Sequence, residues 1–199
     1  MKNVLLINAH QRYAGFAEGK LNRTLVDTAR GLLTDRGYET RTTTVEDGYD
    51  VADELEKYKW ADVVLVQTPV YWMNVPYLFK KYIDEVFTAG IGEVLCRDDG
   101  RTRSDLSKKY GSGGLMSGKK YLISTTWNAP LEAFEDPNQF FEGKGVDGVL
   151  FWLHKAFQFF DMQALPTFSC HDVLKNADVE GDLKRFKEHL GSIFKQGTQ

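Results

Sequence analysis

Three stretches of the sequence group polar, aromatic and backbone chemistry in ways that suit a bound ligand. The first, Ala17-Glu18-Gly19-Lys20-Leu21-Asn22-Arg23-Thr24, lies at a strand-to-helix turn, where the free amides of a helix start can hold phosphate oxygens. Gly19 and Thr24 would equally serve to shape a plain helix start. The second, Gln67-Thr68-Pro69-Val70-Tyr71-Trp72-Met73-Asn74-Val75-Pro76, sets two adjacent aromatics directly beyond an apolar run, between prolines that limit the loop's freedom. Ring contacts and backbone hydrogen bonds could fix a planar heterocycle there, although a hydrophobic plug would also use Tyr71 and Trp72. The third, Thr125-Thr126-Trp127-Asn128-Ala129-Pro130, places hydroxyl and amide groups beside a flat indole, a set that suits the polar edge of an isoalloxazine ring. An ordinary strand exit explains its proline but not that grouping.

Other chemistries lack their residues. No GxGxxG follows the first strand and no GxxxxGK[ST] occurs, which removes the strongest support for a Rossmann dinucleotide site or a nucleotide-triphosphatase loop. The histidines stand at 10, 154, 171 and 189 without HxH or HExxH spacing, so no metal site is assigned. His154 reads as structural, whereas His10, just after the first strand, either touches a phosphate-bearing ligand or stabilises its own loop. Asp98, Asp99 and Asp105 lie among Arg97, Arg101, Arg103 and Lys108, the pattern of a solvated mixed-charge loop rather than of paired catalytic acids.

The elements that must position the three stretches follow from periodicity. Val4 to Ile7 and Ala61 to Gln67 are apolar runs of the kind found in central parallel strands covered on both faces. Lys120 to Thr126 is a third such strand, Tyr38 to Val45 a Thr-rich outer one, and Leu165 to Cys170 a last one. Helical spacing covers Leu21 to Leu33, Val51 to Trp60, Pro76 to Phe87, Val149 to Phe160 and Val179 to Phe194. Strand and helix thus alternate about five times, which favours a doubly wound parallel sheet. Long loops at about 88–118 and 127–147 interrupt the pattern within one domain spanning 1–199. In such a sheet ligands gather beyond the carboxyl ends of the strands, where all three stretches fall.

The whole-chain numbers narrow the class further. Twenty-five Lys and Arg against 28 Asp and Glu give a net charge of −3, which offers no general affinity for nucleic acid. The aromatic cluster Phe151, Trp152, Phe157, Phe159 and Phe160 reads as core or dimer contact rather than as a base-stacking platform. Cys96 and Cys170 are isolated, as in an intracellular protein with reduced thiols. The apolar start at Val4 meets Asn8 and His10 too early for a secretory leader, and no run approaches the roughly 20 residues of a membrane span. Integral membrane association is therefore not expected.

Nearly the whole chain, Asn3 to Phe194, resembles the bacterial NAD(P)H:quinone oxidoreductases of the family named modulator of drug activity B. The resemblance rests on Trp60-Ala61-Asp62-Val63-Val64, Lys80-Lys81-Tyr82-Ile83-Asp84-Glu85-Val86-Phe87-Thr88, Gly100-Arg101-Thr102-Arg103, Lys108-Lys109-Tyr110-Gly111-Ser112-Gly113-Gly114-Leu115, Thr126-Trp127-Asn128-Ala129-Pro130 and Gly145-Val146-Asp147-Gly148-Val149. It implies a flavodoxin-like fold, five parallel strands in the order 2-1-3-4-5 with helices on both faces, and a cytoplasmic homodimer carrying FAD. NADPH or NADH would reduce the flavin and a quinone would reoxidise it, in a two-electron ping-pong cycle.

By the matching motifs, Ala17, Glu18, Gly19, Lys20, Leu21, Asn22, Arg23 and Thr24 would hold the FAD phosphates and adjacent sugar. Pro69, Val70, Tyr71 and Trp72 would line the flavin ring, and Thr125, Thr126, Trp127 and Asn128 another of its edges. Tyr110 would join the pocket, reaching across from the dimer partner. Tyr71, Trp72 and Phe141 are the candidate walls for nicotinamide and quinone. Related animal quinone reductases carry a Tyr and a His near the flavin after a strand-four glycine loop. That loop is not reproduced here, so no catalytic side chain is assigned and the hydride chemistry is left to the flavin. An FMN-dependent azo- or nitro-reductase, an electron-transfer flavodoxin-like protein and a non-enzymatic flavin sensor remain as alternatives.

Overall fold

The computed structural model describes residues 2–103 and 105–195. Strands β1 (Asn3–Asn8), β2 (Glu39–Thr44), β3 (Val63–Pro69) and β4 (Lys120–Thr126) run parallel in the order β2-β1-β3-β4. The fifth position, on the outer side of β4, is shared by two short strands. β5 (Gln163–Ala164) pairs with Lys120 and Tyr121, and β6 (Phe168–Cys170) pairs with Ser124 to Thr126. The sequence predicts one strand over Leu165 to Cys170; Pro166 has no amide for the ladder, and the pairing breaks around it. The fold is flavodoxin-like, with the expected order.

Both faces of the sheet are covered, which is why the central strands carry unbroken apolar runs, Val4 to Ile7 in β1 and Val63 to Val66 in β3, before turning polar at their exits. Leu5, Ile7, Val64, Val66, Tyr121 and Ile123 face one layer, made by α2 (Val51–Trp60), α3 (Tyr77–Tyr82) and α6 (Phe151–Gln158). Val4, Leu6, Val63, Leu65 and Leu122 face the other, made by α1 (Lys20–Asp35) and α7 (Val179–Ile193). The period of two along a strand sends alternate side chains into each layer. Short helices α4 (Glu132–Glu135) and α5 (Gly145–Val149) lie in the connection before α6. The predicted helix over Val149 to Phe160 is broken at Leu150, whose ψ of 19° leaves the helical region. Helix α3 continues through one π-helical turn, Ile83–Phe87.

A buried polar cluster ties α3, and so the loop before it, to the rest of the protein. Glu54 on α2 has no exposed surface; it accepts hydrogen bonds from Thr43 Oγ1 on β2 at 2.8 Å and from Tyr82 Oη on α3 at 2.6 Å, and it pairs with Lys57. A buried carboxyl group is tolerable only with its oxygens satisfied in this way. Lys119, one residue before β4, donates to the carbonyls of Tyr58 and Ala61 at the end of α2, at 3.1 and 2.6 Å. Replacing Tyr82 by Phe removes one donor from Glu54 without changing shape, and should cost about 1–3 kcal/mol in urea unfolding with an unchanged m-value. An unaltered midpoint would show that the cluster carries no stability.

Candidate functional site

Register brings the three stretches to one place. Asn8 lies opposite Gln67, Gln67 opposite Ser124, and Pro69 opposite Thr126, so the exits of β1, β3 and β4 stand side by side at the same end of the sheet. A cavity of about 310 Å³ opens there, and a second of about 390 Å³ adjoins it, the two sharing Phe16, Val70, Tyr71 and Asn128.

The first cavity contains the start of α1. Gly19 is its N-cap in the left-handed region, φ 73°, with no side-chain cap, and the first intrahelical bond runs from Arg23 N to Gly19 O. The amides of Lys20, Leu21 and Asn22 precede that bond on the wall of the cavity, and no acidic residue occupies the first turn. Unpaired amides at the positive end of a 16-residue helix are suited to holding an anion. Glu18 lines the same wall, but its carboxylate is occupied by Gly15 N at 2.8 Å and Arg12 Nε at 2.6 Å. Those partners, the Gly15 amide first, hold its carboxyl below the usual range.

His10 closes the inner wall. It is buried, its Nε2 has no partner, and its Nδ1 lies 3.8 Å from Glu46. Burial lowers its pKa from 6.5, with Glu46 opposing the shift. Its Nε2 is enclosed by protein rather than open to the cavity.

The second cavity is aromatic, lined by Tyr13, Phe16, Val70, Tyr71, Trp72 and Asn128. Its outer edge is a tight turn closed by Tyr71 N to Asn74 O at 2.8 Å and Asn74 N to Tyr71 O at 3.1 Å. Both central residues, Trp72 and Met73, have positive φ, 51° and 60°. Neither is a glycine, so the turn is held against a local cost of about 1–3 kcal/mol per residue. Tyr71 anchors it, donating from Oη to Gln11 O at 3.0 Å and packing edge-on against Tyr13 at 5.4 Å. Trp72 is left 91% exposed, a flat ring beside an open cavity.

At β4 the alternation of side chains divides the expected residues. Thr126 and Asn128 line the first cavity. Thr125 and Trp127 turn inward, with Trp127 Nε1 donating to Thr125 Oγ1 at 2.8 Å and the indole packed on Phe134. The Trp127 amide is also spent, on Cys170 O at 2.9 Å. Phe141 stacks on Phe134 with centroids 4.3 Å apart and lines neither cavity. Tyr110 is exposed and packs on Phe159, again outside both cavities. Arg23 and Thr24 lie past the cavity wall, and Thr24 donates back to Lys20 O.

Sequence reasoning missed Tyr13 and Phe16, in the loop before α1, and Val173 and Leu174, beyond β6. The first pair could have been found as large apolar residues in a loop. The second has only its position after a strand exit as a signal. Among the described residues no cluster of His, Cys, Asp and Glu could hold a metal, and no helix is long and apolar enough to cross a membrane.

Residues 2–193 match the family described as having a flavodoxin-like fold. The chain belongs to that family. Over 192 residues it is 44% identical to the NADPH:quinone oxidoreductase MdaB of Haemophilus influenzae, covering 96% of this chain and 99% of the relative. Among solved structures it resembles a candidate quinone reductase from Klebsiella pneumoniae, with a TM-score of 0.77, 21% identity and coverage of 98% and 86% of the two chains. It also resembles an FMN-dependent NADH-azoreductase from Bacillus anthracis, with a TM-score of 0.70, 13% identity and coverage of 98% and 100%.

Gly19 tests the geometry of the anion site. A Cβ there would fall 2.5 Å from His10 Nδ1, and its φ disfavours any side chain. Gly19→Ala should therefore displace His10, lower the melting temperature by several degrees and weaken binding of phosphate-bearing ligands at least tenfold. A variant with parental melting and binding would show that neither the contact nor the backbone conformation matters.

Proposed function

We propose that this protein is a two-electron NAD(P)H:quinone oxidoreductase that holds FAD in the paired cavities and uses NADPH or NADH as donor. The observation that carries the reading is the junction of an unpaired helix start, Lys20 to Asn22, with an aromatic-walled cavity at the exits of three adjacent strands. The name and near-complete coverage of the 44% identical relative support it. The residues fit such a cofactor: the α1 amides suit phosphate oxygens, while Tyr71 and Trp72, with Val70 beside them, offer flat surface to a ring. Val173 and Leu174, on the same cavity as the α1 amides, add apolar surface that would suit an adenine ring. The azoreductase likeness favours FMN and an azo acceptor as the second reading.

When bound, the flavin supplies the hydride chemistry, and the protein supplies orientation and electrostatics. Tyr13, Phe16, Tyr71 and Trp72 receive nicotinamide and quinone in turn, because one ring face cannot stack both planar molecules at once. The Asn128 backbone amide, with no partner among the described residues, would serve as a hydrogen-bond donor to the ring edge, whereas the Trp127 amide is already bonded to Cys170 O. Thr125 and Trp127 shape that edge from behind, and Phe141 supports it through Phe134 and Trp127. Tyr110, exposed on the long 88–118 connection, completes the site from the second copy of a cytoplasmic homodimer, each chain forming one flavin-binding domain.

Anaerobic stopped-flow mixing tests the cycle. Flavin absorbance should bleach on mixing oxidised protein with NADPH alone, and recover on mixing the reduced protein with quinone, with parallel steady-state lines when both substrates are varied. A need for quinone before any bleaching, or release of quinone radicals, would overturn the proposal.

A further inference from the structure

A chain of four buried side chains runs from the interior of the sheet to the wall of the first cavity. Ser124 Oγ donates to Gln67 Oε1 at 2.6 Å, Gln67 Nε2 donates to Asn22 Oδ1 at 2.8 Å, and Asn22 Nδ2 donates to Thr126 Oγ1 at 3.3 Å. Ser124 and Gln67 have no exposed surface, and neither lines a cavity; Asn22 and Thr126 are 5% and 4% exposed, and both do.

The direction of this chain is set at its closed end. Ser124 has one hydroxyl proton, and among the described residues Gln67 Oε1 is the acceptor it reaches. Turning the Gln67 amide over would leave that proton without a partner in a dry interior, a cost of about 1–3 kcal/mol. With Ser124 donating, the Gln67 carbonyl faces Ser124, its NH₂ faces Asn22, and the Asn22 NH₂ faces Thr126. The Thr126 oxygen is thereby made an acceptor on its inner side. Its own proton has no acceptor among the described residues and is left for the cavity. The opposite sense would draw the Thr126 proton inward and offer the cavity only lone pairs.

We propose that Gln67 and Ser124 are positioning residues which, through Asn22, fix the Thr126 hydroxyl as a hydrogen-bond donor into the cleft, so that the cofactor atom seated against it is an acceptor. The inference rests on the flavin reading above for the identity of that cofactor. It assigns to two residues that touch no ligand a part in choosing which atoms the site accepts, and it gives a role to the fully buried polar side chains of Gln67 and Ser124, where β3 and β4 turn from apolar to polar.

A double-mutant cycle on flavin uptake tests it, with apoprotein titrated by FAD and read by flavin fluorescence. Thr126→Val should weaken binding about five- to tenfold, the loss of one net hydrogen bond, and Thr126→Ser should restore it. Ser124→Ala should weaken binding severalfold in the parent but not further in the Thr126→Val background, while lowering the melting temperature equally in both. Equal weakening in both backgrounds would reduce Ser124 to a structural role and overturn the proposal, as would parental affinity in Thr126→Val. Neutron diffraction from the deuterated parent protein reads the direction without substitution. Deuterium on Thr126 Oγ1 pointing to the cavity is expected, and deuterium pointing to Asn22 would refute the chain. Failure of the parent to take up any flavin would remove the functional reading as well, a result distinct from either pattern among the variants.

Discussion

Parallel pairing of β1, β3 and β4 in one register is the constraint on which everything else depends. Because Asn8, Gln67 and Ser124 lie in one row, the chain leaves three neighbouring strands at the same height, and residues separated by more than a hundred positions meet. The period of a strand is two, so a slip of one residue would send Thr126 into the core and Thr125 to the cavity. The apolar alternation into two helical layers forbids that slip, since it would also exchange Leu122 with Tyr121 and Ile123. Core packing and site geometry are thus the same fact read on two sides.

The cavities gather the local conformational cost that the sheet can support. Gly19, Trp72 and Met73 all occupy the left-handed region at the cavity rims, and two of the three pay for it with a side chain in place. Anchors from outside each turn hold them. Glu18 gathers Arg12 and Gly15, Tyr71 reaches back to Gln11, and Glu54 fastens α3 behind the second turn. The aromatic ring that projects furthest, Trp72, is therefore mounted on one of the more constrained turns rather than on a free loop.

What the sequence made legible was whatever depends on periodicity and punctuation. The uninterrupted apolar runs at Val4 and Val63 declared covered strands, and proline and glycine marked their exits, so the fold and the place of the cleft could be read directly. Facing was harder. Trp127 and Phe141 have the chemistry of pocket walls, yet both pack into the core around Phe134, because an aromatic side chain satisfies either role and only tertiary contacts decide. Pro166 was visible as a residue, but its effect of splitting a strand depended on the unbroken β4 beside it. Val173 and Leu174 carry no chemical mark; they reach the cavity because their loop is pinned by Val173 N to Trp127 O at 3.1 Å. The buried polar chain from Ser124 to Thr126 was likewise hidden, since hydrogen-bond direction follows from three-dimensional closure rather than from residue type.

FAD as the proposed cofactor of this cleft is open to direct measurement. Purified protein should be denatured and the released chromophore identified by chromatography, with its amount compared with the protein. One FAD per chain is the expected result, and apoprotein should regain the same spectrum on adding FAD. FMN as the released species, or no uptake from an excess of FAD by a folded protein, would contradict it.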